Sequence, residues 1–223
     1  MAKGAILRVA ELPVGATESV VAEPLRLDIG CGKTKMDGWE GIDSIDFGQK
    51  HVFSVAEQDK LWYRQNHEFL MGDRDTPPVV PRYKAWPIAD DSVSEVRSSH
   101  FVEHLDWDAR VHFFNELYRV MKKGATAQIV TPNWSHSCYY GDPTHKAPLS
   151  QWYPLYLNKA WRDSNAPHDD SQYVKDAYKC DFDHVVAGSW DAAIEGRNAE
   201  HKQFAMNSYT NAWRDLIVTL TRK

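Results

Sequence analysis

In Leu25-Arg26-Leu27-Asp28-Ile29-Gly30-Cys31-Gly32, a short run of largely apolar, extended-favouring residues meets an acid and then two glycines one residue apart. That order predicts a buried strand ending in a tight backbone turn. Glycine there gives the main chain torsions closed to other residues and lets a neighbour approach with no side chain between. Two nucleotide loops are excluded by spacing. A P-loop needs a glycine five places before the Gly-Lys-Thr of Gly32-Lys33-Thr34, and that place holds Leu27. A dinucleotide loop needs a third glycine three places after Gly32, where Lys35 stands.

The 223 residues suffice for one domain, with insertions expected at about 47–82 and 134–179. A formal net charge of -5 gives no general attraction to nucleic acid. Arg8, Glu11 and Glu18 interrupt the apolar residues of the first 22, so no signal-peptide core is expected. No run reaches membrane-spanning length. Three scattered cysteines, Cys31, Cys138 and Cys180, fit neither a disulfide framework nor a CxxC zinc site, and a reducing cytoplasm is the expected setting.

Outward from the loop, Ala5 to Val9 is a possible strand, and Trp39 to Asp43 reads as a second strand after a connection too short for more than a helical turn. Glu57 to Leu70 is a ragged helix pattern, and Thr76 to Pro81 is a stiff connector. Val93 to Ser99 reads as a strand. In Asp108 to Lys123, Val111, Phe114, Leu117, Tyr118 and Met121 recur at helical spacing, with Lys122 and Lys123 in the last turn and Gly124 as the stop. Ala125 to Thr131 follows as a strand. Strand, helix, strand at this spacing predicts a parallel sheet. Trp134 to Lys179 is aromatic, proline-bearing and aperiodic, as functional loops are. Strands are expected at Phe182 to Trp190 and Arg214 to Thr221, with a helix at Asn198 to Asn211.

Four ordered stretches resemble the class I S-adenosyl-L-methionine (SAM) dependent methyltransferases: Asp28-Ile29-Gly30-Cys31-Gly32; Trp86-Pro87-Ile88-Ala89-Asp90-Asp91-Ser92-Val93; Ser98-Ser99-His100-Phe101-Val102-Glu103-His104-Leu105; and Glu116-Leu117-Tyr118-Arg119-Val120-Met121-Lys122-Lys123-Gly124. The resemblance implies an α/β, Rossmann-like sheet of seven strands with helices on both faces and the last strand antiparallel. It implies SAM as cofactor, with Asp28, Gly30, Cys31 and Gly32 near its methionine part, Asp43 on the ribose hydroxyls, and Ser98 and Ser99 bordering it. Asp46 is the rival of Asp43. Relatives often hold adenine with an acid before the Leu-Pro-Phe segment; Arg82-Tyr83-Lys84-Ala85 stands there instead, so backbone near Ala85 with Trp86 or Tyr83 is the expected substitute.

The implied reaction is O- or N-methylation of a small-molecule, sugar or side-chain acceptor, which makes a small molecule or glycan the expected partner. DNA-base methylation is disfavoured, because Ser98-Ser99-His100-Phe101 replaces the Asn/Asp-Pro-Pro-Tyr/Phe of nucleic-acid amino methyltransferases. A base for a hydroxyl or ammonium acceptor is expected at His100, after the fourth strand, or at His145 in Asp142-Pro143-Thr144-His145. Two alternatives stand beside this: a catalytically inactive SAM-fold binding module, and a zinc peptidase through His100-x-x-Glu103-His104.

Overall fold

The computed structural model describes residues 23–34, 36–58, 83–165 and 177–223. The expected strand at 5–9, the connector at 76–81 and nearly all of the helix expected at 57–70 lie outside them.

Seven strands form one sheet: β1 (Leu25–Ile29), β2 (Glu40–Asp43), β3 (His51–Val52), β4 (Val93–Ser99), β5 (Met121–Pro132), β6 (Phe182–Trp190) and β7 (Trp213–Arg222). Their order is β3-β2-β1-β4-β5-β7-β6. The pairs from β3 to β5 are parallel, and β7 runs antiparallel to both β5 and β6. β7 alone therefore opposes the other six. β1 and β4 lie side by side but their connections leave in opposite directions, and at such a switch point a crevice opens beyond the C-terminal strand ends.

The principal described helix, α1 (Trp107–Val120), is capped by Asp106, whose side chain accepts from the Ala109 N–H at 3.0 Å. It buries Val111, Phe113, Phe114, Leu117 and Val120 against the sheet. The helix stops three residues earlier than its periodicity predicts. Met121 is wholly buried and pairs with Val93, so the sheet takes the chain before Lys122 and Lys123 can serve as a last turn. Gly124 has φ +78° inside β5, where the register against β4 slips; it relieves a bulge rather than ending a helix.

Among its described residues the connection from β1 to β2 contains no helix, as its length dictates. Among its described residues, the segment expected as aperiodic loop from 134 holds two short helices, α2 (Ser137–Gly141) and α3 (Lys159–Asn165), with a 3-10 segment at Tyr153–Leu157. Two further helices, α4 (Ala192–Glu195) and α5 (Ala199–Ser208), join β6 to β7. Among the described residues no helix is long and apolar enough to cross a membrane.

Candidate active site

The glycine turn is held from beneath by β2. Gly30 and Cys31 donate their N–H groups to the Ile42 carbonyl at 2.9 and 3.3 Å, and Gly32 donates to Asp43 Oδ2 at 3.0 Å. Gly30 and Gly32 sit at φ +72° and +54°. The two glycines do different work. A Cβ at Gly30 would lie 2.5 Å from the Phe101 ring, whereas one at Gly32 would meet nothing within 4 Å. The bare backbone at Gly30 thus admits Phe101, and Gly32 is the position left open.

Gly30, Ile42, Asp43, Ser44, Phe53–Ala56, Phe101 and Leu105 line a cleft at the C-terminal ends of β1 and β2 with about 120 Å³ of free space, less than the roughly 300–1,000 Å³ usual for small-molecule sites. Asp43 is the acid of this cleft. Its Oδ1 accepts from the Ile45 N–H at 3.1 Å and its Oδ2 from Gly32, leaving further lone pairs on each oxygen. Asp46 instead closes a turn on the Gly48 N–H at 2.7 Å and does not line the cleft.

Other residues expected at the cofactor do not line this cleft. Asp28 and Cys31 line a separate hollow with Trp39, Gly41 and Lys50. Asp28 faces Arg97 Nη1 at 3.3 Å, its neighbour across the β1–β4 register; burial pushes its carboxyl above the usual range while Arg97 opposes the shift. Trp86 is a core residue. Its backbone N–H donates to Glu116 Oε2 at 2.6 Å and its indole N–H to the Val55 carbonyl at 3.0 Å, so it props the cleft wall from behind with no free donor. Ala85 is exposed and off the cleft wall, and Tyr83 stacks on His112. Ser98 is wholly buried with an unpaired hydroxyl, and Ser99 is half-buried; neither lines the cleft.

The two histidines expected as bases converge on one oxygen. His100 follows β4 with φ +53°, fixed by its N–H to the Val130 carbonyl at 2.8 Å. Its Nδ1 is 3.6 Å from Glu103 Oε1 and its Nε2 3.9 Å from Asp215 Oδ1 on β7. Glu103, reinforced by Asp215, raises the His100 pKa above its ordinary value despite partial burial. His145 Nε2 is 3.9 Å from the same Glu103 oxygen and 3.8 Å from Asp142 Oδ2. The sequence points to Glu103 only within the peptidase motif, and to Asp215 not at all. The first was visible inside Glu-His-Leu, whereas nothing local marks the second.

The peptidase motif does not assemble. Val102–His104 is a single 3-10 turn, and among the described residues the three groups close enough to share an ion are Glu103, His104 and His145, without His100.

No protein-family model and no curated protein matches the chain. Solved structures do. A SAM-dependent methyltransferase from Archaeoglobus fulgidus is 19% identical with a TM-score of 0.51, over 90% of this chain and 87% of that one. Two more distant matches are the 1,6-didemethyltoxoflavin-N1-methyltransferase of Burkholderia thailandensis (10% identical, TM-score 0.45, covering 90% and 72%) and the geranyl diphosphate C-methyltransferase of Streptomyces coelicolor (15%, 0.40, 90% and 72%). With the strand order above, the first match defines the architecture: this chain has the SAM-dependent methyltransferase fold.

Proposed function

We propose that this protein transfers a methyl group from SAM to the oxygen or nitrogen of a small-molecule acceptor. The observation that carries the reading is Asp43: a carboxylate braced by two backbone N–H groups, facing a cleft at the switch point of a methyltransferase fold. The residues fit the cofactor. Asp43 has lone pairs left for two adjacent ribose hydroxyls, Phe53, Val55 and Ala56 offer apolar surface to a base, and the open backbone of Gly32 suits the methionine end.

SAM supplies an already activated methyl on a sulfonium, so the protein's task is to hold an acceptor close, aligned and desolvated. His100 is the base for an acceptor that carries a proton. It stands at the end of β4, half exposed, with Glu103 and Asp215 to steady the imidazolium. His145, against the same carboxylate, is the second candidate when no ion occupies its Nε2. Trp134 and Trp213, beside Asn133 and Tyr209, line a hollow of about 180 Å³ beyond β5 that suits a planar or apolar acceptor. The acidic net charge and the absence of an Asn/Asp-Pro-Pro-Tyr/Phe segment argue against a nucleic-acid acceptor.

Calorimetric titration with SAM and its demethylated product tests cofactor use. A panel of small hydroxyl, amine and sugar acceptors scored by SAM consumption then tests catalysis. Saturable binding with turnover of one acceptor class is expected. Binding without turnover of any acceptor would favour the inactive binding module, and no binding would remove the reading.

A further inference from the structure

We propose that Glu103, His104 and His145 hold a divalent first-row transition-metal ion, with its remaining positions open to an oxygen of the acceptor. One ligand atom from each of the three residues lies within 4.8 Å of the other two. The metal site stands on that geometry; its open-position ligand rests on the methyl-transfer reading above.

The hydrogen bonds around the cluster prepare both imidazoles as ligands. His145 Nδ1 is 2.6 Å from the Tyr139 carbonyl, which can only accept, so in the neutral ring Nδ1 carries the proton and Nε2 keeps its lone pair. That Nε2 faces Glu103 Oε1. The Thr144 hydroxyl donates to Asp142 Oδ1 at 2.6 Å and therefore accepts from His104 Nδ1 at 2.9 Å, which leaves Nε2 the basic nitrogen of His104 as well. Two imidazoles pinned through Nδ1 by oxygen acceptors match the outer-shell arrangement of metal-bound histidine.

Glu103 supplies the anion. It is wholly buried, Oε2 accepts from Thr131 Oγ1 at 3.1 Å, and Oε1 makes no hydrogen bond, its neighbours being His100 Nδ1 at 3.6 Å and His145 Nε2 at 3.9 Å. An unpaired buried carboxylate oxygen is costly. The 3.9 Å between it and His145 Nε2 is too long for a hydrogen bond. Two ligands of a tetrahedral ion at ~2.1 Å stand ~3.4 Å apart, so a closure of about half an ångström would seat a cation between them. The backbone holds the two segments together: Lys146 N–H donates to the Glu103 carbonyl at 2.9 Å, and Arg110 Nη2 bonds the carbonyls of Val102, Leu105 and Ala147. Two histidines and one carboxylate leave coordination positions free, as catalytic sites do and structural ones do not. Phe101 and Leu105, which bracket Glu103 and His104 in sequence, line the wall of the cleft.

The test uses the full chain, stripped with chelator and dialysed, titrated with Co²⁺ and then with competing Zn²⁺. One equivalent of Co²⁺, seen by its visible absorption and displaced by Zn²⁺, is expected. His104→Gln and His145→Gln should each weaken it by more than the roughly 10- to 100-fold that loss of an outer-shell partner costs, and Thr131→Val by an amount in that range. In the unaltered protein, Zn²⁺ should move the imidazole nitrogen resonances of His104 and His145, which needs no variant to fold. Failure to take up Co²⁺, or zinc shifts confined to other histidines, would overturn the site. SAM binding without metal uptake would overturn it while leaving methyl transfer standing; metal uptake without SAM binding would overturn the acceptor role and methyl transfer together, leaving the metal site.

Discussion

Replacing Asp43 by alanine removes the acid that the glycine turn and the cleft share. In the free protein the Gly32 and Ile45 N–H groups lose their acceptors. Ile45 is exposed and exchanges its partner for water, whereas Gly32 is partly buried, so the loss of stability should be modest, about 1 kcal/mol. In the complex the ribose hydroxyls lose a charged acceptor, worth about 1.5–3 kcal/mol. That corresponds to a SAM affinity lower by about 10- to 140-fold. Calorimetry at constant pH and salt reads the affinity, and thermal unfolding of the same sample reads the stability. Asp46→Ala is the matched control, since its turn on Gly48 lies off the cleft. If Asp46→Ala weakens SAM and Asp43→Ala does not, the assignment of the ribose site is wrong.

Gly30→Ala drives a methyl into the Phe101 ring at a positive φ, so unfolding should become easier by about 1–3 kcal/mol, and a variant as stable as the parent would show that the ring does not rest there. Arg119 ties α1 to the segment before β4 by donating to the Trp86 and Ile88 carbonyls and to Glu116, which it partners at 2.6 Å; Arg119→Ala should cost about 2–3 kcal/mol in denaturant unfolding, and less than about 0.5 would make the network incidental. His100 has its folded pKa raised above the ordinary 6.5, so protonation favours the folded state below that value, and this contribution is lost as pH rises through the higher folded midpoint. Its imidazole resonance should titrate above 6.5 and fall back in Glu103→Gln; an unmoved midpoint would separate the two groups.

The parts of this fold legible in sequence are those set by local chemistry. An acid and two glycines after a short strand can hardly be other than a turn, and the apolar spacing of Val111, Phe114 and Leu117 marks one face of α1. What escaped was set across the sheet. Burial of Met121 against β4 ended the helix early. Asp28 went to Arg97 because neighbouring residues of a strand point to opposite faces, and Ile29 takes the core face. Trp86 looked available for a base, yet both its donors answer to Glu116 and Val55, residues far along the chain. His100 and His145 were each legible as candidate bases. That one carboxylate oxygen stands between them depends on Lys146 and Arg110 pinning two loops together.

If the cleft of Gly30, Asp43 and Phe101 is the cofactor site, a crystal structure with S-adenosylhomocysteine will show the ligand there. The ribose hydroxyls should lie within hydrogen-bond distance of Asp43, with the adenine against Phe53, Val55 and Ala56. Ligand density in the hollow of Asp28, Trp39 and Lys50 instead, with the cleft beside Asp43 empty, would contradict the account.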